Sequence, residues 1–528
     1  MNLTGFQRIE GAAATWWFAA EHAEALSPFF ADSVERIEHL PGAAILREGD
    51  ARVLVSLPLP FGVRAIVKVF LRKRGLQLLV DHYRSRALRE ANALVVAAHA
   101  GIRVPRVLAF AVGYGAEVAG VLVTQAIEGA EPLQQVLDRT GRHLRGPAFR
   151  ARRALLLRLG DLVRRLEAAG WRHGDLHAGN VLLLPPSLAG EPHVVDWQRA
   201  NKGHAFPPDL VDLVYSLSFS VPLSEQVTLL RSGLTPTATK GLRREAMGWV
   251  RWRKERHLES RTARCLADGT EFAVDVEAGR RIHRQRTVPA EWIREAVREH
   301  DAIAARGELV KALPTRRISR LQLPGPGAPF PVYVKEYLYA LPKRLANLVV
   351  GSPARRAWVA AHGLRWRGIR SAEAIALVEE GRRSLLVTRE VPGARTLTIA
   401  AAEAAHLPPR EKRAFLDRLA RWVRRIHEEG VWHPDLKANN VLVDASGELY
   451  LIDLDRTRFV GWLSPACREK NLAQLCAAVP RPVSRADRMR VWLLWSRHRG
   501  TKEQARRIVR LAVARRHLWP GMDDGPRG

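Results

Sequence analysis

Cysteine is nearly absent from this chain. Its 528 residues hold three, Cys265, Cys467 and Cys476, far apart and in no metal-ligand spacing. That excludes a disulfide framework and a cysteine zinc site. Long apolar runs are missing as well: no stretch reaches the roughly 18–20 residues of a membrane helix. The first residues, MNLTGFQRIEGAAATWWFAAEHAEAL, lack the basic flank and continuous apolar core of a signal peptide. The expected location is therefore cytoplasmic. Acidic residues are scarce, 54 Asp and Glu against 84 Lys and Arg, for a net charge of +30. Within that surplus lysine is scarce, 12 against 72 arginines. Arginine's fork grips phosphate and carboxylate, so the excess points either to an anionic partner or to a compositional bias. No zinc-finger spacing, RNP-like strand or helix-turn-helix pattern favours nucleic acid. An anionic membrane surface fits the charge equally well.

What is present is a repeat. The segments LRLGDLVRRLEAAGWRHGDLHAGNVLL and DRLARWVRRIHEEGVWHPDLKANNVLV share 13 of 25 positions when residues 158–182 are laid on 418–442. Each reads as an amphipathic helix, a glycine stop, a polar loop and a strand. Further pairs flank this window: VLVTQAIEGA (121–130) with LLVTREVPGA (385–394), RAIVKVF with PVYVKEY, and HVVDWQRA with YLIDLDRT. The offset between copies drifts only from 257 to 267. Such drift is expected of one duplicated domain with insertions in loops.

Each copy carries the same chemistry in the same order. A strand lysine (Lys68, Lys335) comes first, then H-x-D-L-x-x-x-N with Asp175 and Asn180 or Asp435 and Asn440, then an apolar strand ending in Asp196 or Asp453. Phosphoryl transfer needs a cation on the phosphates, metal ligands, and a carboxylate that orients the attacking hydroxyl. A carboxylate and a carboxamide five residues apart on one loop, with a second carboxylate from the next strand, provide hard oxygen ligands suited to Mg²⁺ or Mn²⁺. The duller readings are a lysine snorkelling to water and an Asp acting as a turn residue. Recurrence at matched points of both copies weighs against them. His173 and His433 read as loop braces.

The order of motifs resembles the protein-kinase-like superfamily, with its V-A-I-K, H-R-D-L-x-x-x-N and D-F-G signatures. Within it, VYVKEY, SPARRAWVAAHGLRWRGI, GVWHPDLKANNVLV and LIDLDR resemble the bacterial lipopolysaccharide core kinases that act on heptose or Kdo; HGDLHAGN is also similar to aminoglycoside-type phosphotransferases. The resemblance implies catalytic bases at Asp175 and Asp435, and metal ligands at Asn180, Asp196, Asn440 and Asp453. It implies nucleotide contacts from Lys68, Glu90, Lys335 and Gly49, and adenine-reading hinges at 121–130 and 385–394. It further implies ATP with Mg²⁺ or Mn²⁺, a sugar hydroxyl of lipopolysaccharide inner core as acceptor, and peripheral contact with the cytoplasmic face of a membrane. The alternatives are a small-molecule or protein Ser/Thr kinase, and a tandem pseudokinase acting as a basic binding or regulatory protein.

The departures are specific. Neither copy has a G-x-G-x-x-G phosphate loop: ILREGDARVLV offers one glycine, Gly49, and LVKALPTRRISRL none. Ala357 stands where the second copy would carry a helix glutamate, and no A-P-E segment follows either site. The expected fold is α+β, two tandem bilobal kinase-like domains, each a small antiparallel sheet and a mainly helical lobe. The first domain is expected over 30–258 (lobes 40–124 and 125–258) and the second over 300–520 (lobes 305–388 and 389–520). A basic connector, 259–299, lies between them. Its segment CLADGTEFAVDVEAGRRIHRQR alternates like a hairpin, belonging to the second sheet or forming a bridge.

Overall fold

The computed structural model describes residues 5–11, 14–31, 37–49, 51–72, 85–113, 118–142, 144–204, 208–234, 239–277, 279–325, 328–339, 350–478 and 482–516. The chain divides into two compact units, Met1–Lys254 and Glu255–Gly528.

In the first unit, one antiparallel sheet contains β1 (Phe6–Glu10), β2 (Thr15–Ala19), β3 (Ala44–Gly49), β4 (Arg52–Pro58), β5 (Arg64–Leu71), β6 (Val107–Val112) and β7 (Val118–Gln125). Their spatial order is β1-β2-β6-β7-β5-β4-β3. The helical lobe adds the short strands β8 (Glu131–Pro132), β9 (Trp171–Arg172), β10 (Val181–Leu183), β11 (Pro192–Val194) and β12 (Asn201–Lys202).

The second unit repeats this plan. Its sheet contains β13 (Phe272–Glu277), β14 (Arg280–Gln285), β15 (Lys311–Leu313), β16 (Arg316–Leu323), β17 (Phe330–Leu338), β18 (Ala374–Glu380) and β19 (Arg383–Arg389), in the order β13-β14-β18-β19-β17-β16-β15. The short strands are β20 (Arg395–Thr396), β21 (Val431–Trp432), β22 (Val441–Val443), β23 (Leu449–Leu451) and β24 (Arg458–Phe459). Adding twelve to every strand number of the first sheet gives the second, so the duplication seen in sequence is a duplication of topology.

Strand alternation positions the lysines. On β5, Ala65, Val67 and Val69 pack with Trp16, Leu26 and Phe30, whereas Phe70 packs on the opposite face with Ala87, Ala91 and Leu94 of the helix Arg86–His99. Residues two apart on a strand share a face, so Lys68 faces the helix with Phe70. On β17, Val332 and Val334 pack with Ile293 and Val297, and Tyr337 packs with Ala354, Ala357 and Trp358 of the helix Pro353–Trp366. Lys335 therefore faces that helix, and its neighbour Glu336 faces away.

The two helices begin alike. Ser85 caps the first by accepting from the Leu88 amide, and Ser352 caps the second by accepting from the Arg355 amide. Such caps satisfy amides left free in a first turn. Glu90 and Ala357 each lie five residues beyond the capping serine, so they are structurally equivalent positions.

The helical lobes are organised around the helices Gly146–Ala168 and Pro409–Glu428. Each buries one stripe at three- and four-residue spacing, Leu155, Leu159, Leu162 and Leu166 in one, Leu416, Leu419, Val423 and Ile426 in the other. Each ends at a glycine in left-handed backbone, Gly170 at φ 67° and Gly430 at φ 65°. At Gly430 a Cβ would stand 1.8 Å from the Val460 carbonyl oxygen, so the close approach also demands glycine.

Both sheets are larger than the sequence suggested. The hairpin β1–β2, ahead of the expected boundary at residue 30, pairs with β6 from Thr15↔Val112 to Phe18↔Ala109. The hairpin β13–β14, read from the sequence as part of the second sheet or as a bridge, belongs to the sheet and pairs with β18 from Arg280↔Glu380 to Arg284↔Ala376. Strand β2, TWWFA, shows no alternation of its own, and its place in the sheet is set by its pairing with β6. The expected end of the second domain near 520 lies outside the described residues.

Candidate active site

In the first unit, groups far apart in sequence meet where the sheet faces the helical lobe. The Lys68 ammonium lies 2.5 Å from Glu90 Oε1 and 3.3 Å from Asp196 Oδ1. Burial pushes the Glu90 carboxyl up, and the Lys68 ammonium works against that shift. Glu90 also accepts from the Trp197 amide at 3.2 Å, tying the helix to the segment after β11. Asp196 is held in left-handed backbone, φ 67°. That conformation is costly for a residue with a Cβ and persists only where surroundings fix it. Burial acts to raise the Asp196 carboxyl, but Lys68 and Arg52 outweigh it and hold the group below the usual carboxylate range.

The loop 173–180 is braced from below. The His173 and Gly174 amides donate to the Asp209 carboxylate at 2.6 and 2.8 Å. Burial pushes Asp209 up to about 6 despite those two bonds. His173 Nε2 lies 3.1 Å from the Val195 carbonyl, and burial lowers its imidazole to about 4. A neutral ring anchored this way is a brace, as its sequence position suggested. Asn180 donates its amide nitrogen to the Asp175 carbonyl at 3.0 Å, which leaves the carboxamide oxygen outside that bond. The Asp175 side chain stays 36% exposed, with Arg199 3.6 Å away, so it is open to an incoming molecule.

The second unit builds the same loop with different braces. Asn440 donates to the Asp435 carbonyl at 2.9 Å and to its carboxylate at 3.2 Å. Asn471 donates to the His433 carbonyl at 2.7 Å, and Gln474 donates to the Pro434 carbonyl. Asp453 repeats the left-handed backbone of Asp196 at φ 60°. With Ala357 in place of a glutamate, the Lys335 ammonium turns to Asp453 Oδ1 at 2.5 Å. Burial works to lower the Lys335 ammonium, while Tyr337 and Asp453 outweigh it and raise the group. Asp455, two residues on, is pushed up by burial and then by Asp453; its Oδ1 is buried with no hydrogen-bond partner among the described residues.

The donor sets fit a hard divalent cation. Each unit offers an aspartate and a carboxamide on adjoining loops, joined through backbone bonds from Val195 to Asn180 and from Ile452 to Asn440. The orphaned Asp455 oxygen, beside a second carboxylate, is a further place where positive charge is wanted.

Lys68, Glu90 and Asp196 thus converge, as do Lys335 and Asp453, while Asp175 with Asn180 and Asp435 with Asn440 form the loops beside them. Gly49 ends β3 opposite Arg52, and a Cβ there would lie 3.8 Å from the Arg52 carbonyl oxygen. The segments 121–130 and 385–394 run out of β7 and β19 into the helical lobes, where a hinge is expected. Sequence reasoning missed Asp209, Asn471 and Gln474, which read as ordinary members of core helices. It also missed Arg52 and Arg316, which nothing distinguishes among 72 arginines. An apolar cavity of about 690 Å³ lies among the helices of the second unit, lined by Leu419, Trp492 and Ile508, and none of the site residues borders it.

A bilobal α+β unit with a lysine, a loop aspartate and asparagine and a strand-end aspartate defines a kinase-like protein, here in tandem. The lipopolysaccharide kinase (Kdo/WaaP) family matches residues 72–207 and 304–493, and the chain belongs to that family. It is similar to 3-deoxy-D-manno-octulosonic acid kinase of Xylella fastidiosa (strain M12), 43% identical over 67 residues, 12% of this chain and 25% of the relative. The enzyme of the same name from Stenotrophomonas maltophilia (strain K279a) is 33% identical over 93 residues, 18% of this chain and 34% of that one. The chain therefore matches only a quarter to about a third of the length of these relatives. Among solved structures, a chain of WaaP in complex with acyl carrier protein aligns with 44% of this chain and 98% of its own, at 24% identity and a TM-score of 0.33. No helix among the described residues is long and apolar enough to cross a membrane.

Proposed function

We propose that each unit is an ATP-dependent phosphotransferase that moves the γ-phosphoryl group to a sugar hydroxyl of lipopolysaccharide inner core. The observation that carries this reading is the contact of Lys68 with both Glu90 and Asp196. A buried lysine held between two carboxylates is the geometry that fixes an ammonium for non-transferred phosphates. Lys68 and Lys335 would take those phosphates. Asp175 and Asp435 would orient the acceptor hydroxyl and take its proton. The hydroxyl oxygen then bonds to the γ-phosphorus as the bond to the bridging oxygen breaks, and ADP leaves. Asn180 with Asp196, and Asn440 with Asp453, would hold Mg²⁺ or Mn²⁺, whose charge would offset that of the phosphates when bound. Backbone groups of 121–130 and 385–394 would meet the adenine.

The net charge of +30 favours an anionic acceptor or an acceptor set in an anionic surface. Phosphorylated core sugars reached from the cytoplasmic face by peripheral attachment meet both descriptions. The test is mass spectrometry of glycolipid from cells with and without this protein. Loss of a core phosphate is expected; an unchanged phosphate content would remove the acceptor while leaving nucleotide chemistry to be measured directly.

A second reading makes the second unit a nucleotide-binding regulator without turnover. It is favoured by Ala357, which leaves Lys335 bonded to Asp453 itself. Separate Asp175→Ala and Asp435→Ala variants discriminate: if Asp435→Ala leaves all transfer intact, the second unit is not catalytic.

A further inference from the structure

We propose that Arg52 and Arg316 grip the terminal phosphates of the nucleotide, taking over from the glycine-rich loop that the chain lacks. The inference rests on the nucleotide reading of the two sites given above.

The two arginines occupy one structural position. Arg52 opens β4 two residues before Leu54, which pairs with Lys68. Arg316 opens β16 two residues before Ile318, which pairs with Lys335. Each begins the second strand of its β3-β4-β5 or β15-β16-β17 meander, next to where a phosphate loop would sit. Each comes down onto the strand-end aspartate of its own unit. Arg52 forks Asp196, with Nη1 to Oδ1 at 3.0 Å and Nη2 to Oδ2 at 3.2 Å. Arg316 stands 3.8 Å from Asp453 and 3.7 Å from Asp455.

The crowding at Asp196 shows which group moves. Its Oδ1 receives Arg52, Lys68 and the Gln198 amide, the last at 2.8 Å, and Oδ2 receives Arg52 again. A dication bound by Asp196 needs the oxygens that this fork covers. Lys68 is held in place by Glu90, and Gln198 is two residues along the chain. Arg52 is the donor at the first residue of its strand, with its side chain 27% exposed. The anion that arrives with the dication is the triphosphate, and a guanidinium matches phosphate oxygens as well as it matches a carboxylate. Arg52 thus holds the strand-end carboxylate in the free protein and passes to the phosphates when the nucleotide binds. The guanidinium provides the donors that backbone amides of a glycine loop would otherwise present.

The test is calorimetric titration of the full chain with ATP–Mg and, separately, with adenosine, using the wild type and the pairs Arg52→Ala with Arg316→Ala and Arg52→Lys with Arg316→Lys. The alanine pair is expected to weaken ATP–Mg binding by about 10-fold or more, and the lysine pair to recover only part, because an ammonium lacks the fork. Adenosine affinity is expected to stay unchanged in both. Unchanged or tighter ATP–Mg binding would overturn the proposal and leave the arginines as plugs of the aspartate. An equal loss for adenosine would overturn it in favour of a structural role. A wild type that binds neither ligand would overturn the nucleotide reading itself.

Discussion

Lys68 and Lys335 occupy the same place in two copies of one sheet, yet only Lys68 has a buried glutamate at 2.5 Å; Lys335 meets the strand-end aspartate Asp453 at that same distance. The difference follows from one position, Glu90 in the first helix and Ala357 in the second. It leaves Lys68 anchored to the helix and Lys335 to the strand-end aspartate, and gives the two units separable predictions.

Glu90→Gln removes the charge that holds Lys68 in place beside Asp196. In an Asp435→Ala background, which leaves the first unit to be read alone, kcat/KM should fall by about 10- to 100-fold, the size of a lost charged hydrogen bond. Steady-state phosphoryl transfer measures it. Thermal unfolding in parallel separates this loss from unfolding.

Asp175→Ala and Asp435→Ala remove half-exposed carboxylates that brace little of the fold. Each should lower transfer by its own unit about 10²–10⁴-fold, the usual worth of a positioned general base, with little change in stability. Single-turnover assays on the full chain check both.

The two helix-ending glycines should respond unequally to alanine. Gly170→Ala meets no atom within 4 Å and bears only the left-handed backbone, φ 67°, a cost of about 1–2 kcal/mol. Gly430→Ala adds a Cβ 1.8 Å from the Val460 carbonyl oxygen and should be clearly the more destabilising. Urea unfolding compares them.

Acid sensitivity has a definite sign at His427. Burial lowers its imidazole from 6.5 to about 3, and its Nδ1 accepts from the Trp495 indole at 2.9 Å. The folded state therefore binds the proton less readily than the unfolded chain. The stability that this provides is complete above pH 6.5 and is lost as pH falls toward about 3. Between pH 6.5 and 5 the loss is roughly 2 kcal/mol, at about 1.4 kcal/mol per pH unit. His427→Gln keeps an acceptor but takes no proton, and should flatten that slope in hydrogen exchange of the helix Arg485–Trp495.

Much of this was legible in the sequence because the duplication marks what matters. A lysine on an alternating strand, and an Asp and Asn five apart after a glycine stop, stand out once they occur twice in order. Residues that act through backbone were not legible. Asp209 and Asn471 brace equivalent loops but differ in chemistry, and each lies in a helix whose apolar stripe already explains it. Arg52 was hidden because its partner, Asp196, is 144 residues away. Nothing local sets it apart from other surface arginines. The hairpin β13–β14 was legible from its alternation, whereas β1–β2 was not, because the largely apolar TWWFA owes its place to its pairing with β6.

The most direct measurement is the number of ATP–Mg molecules bound per chain at equilibrium, by calorimetry on the wild type and on the Lys68→Ala, Lys335→Ala pair. Two per chain in the wild type and none in the pair is the predicted result. One or none in the wild type would contradict two nucleotide sites built on equivalent lysines.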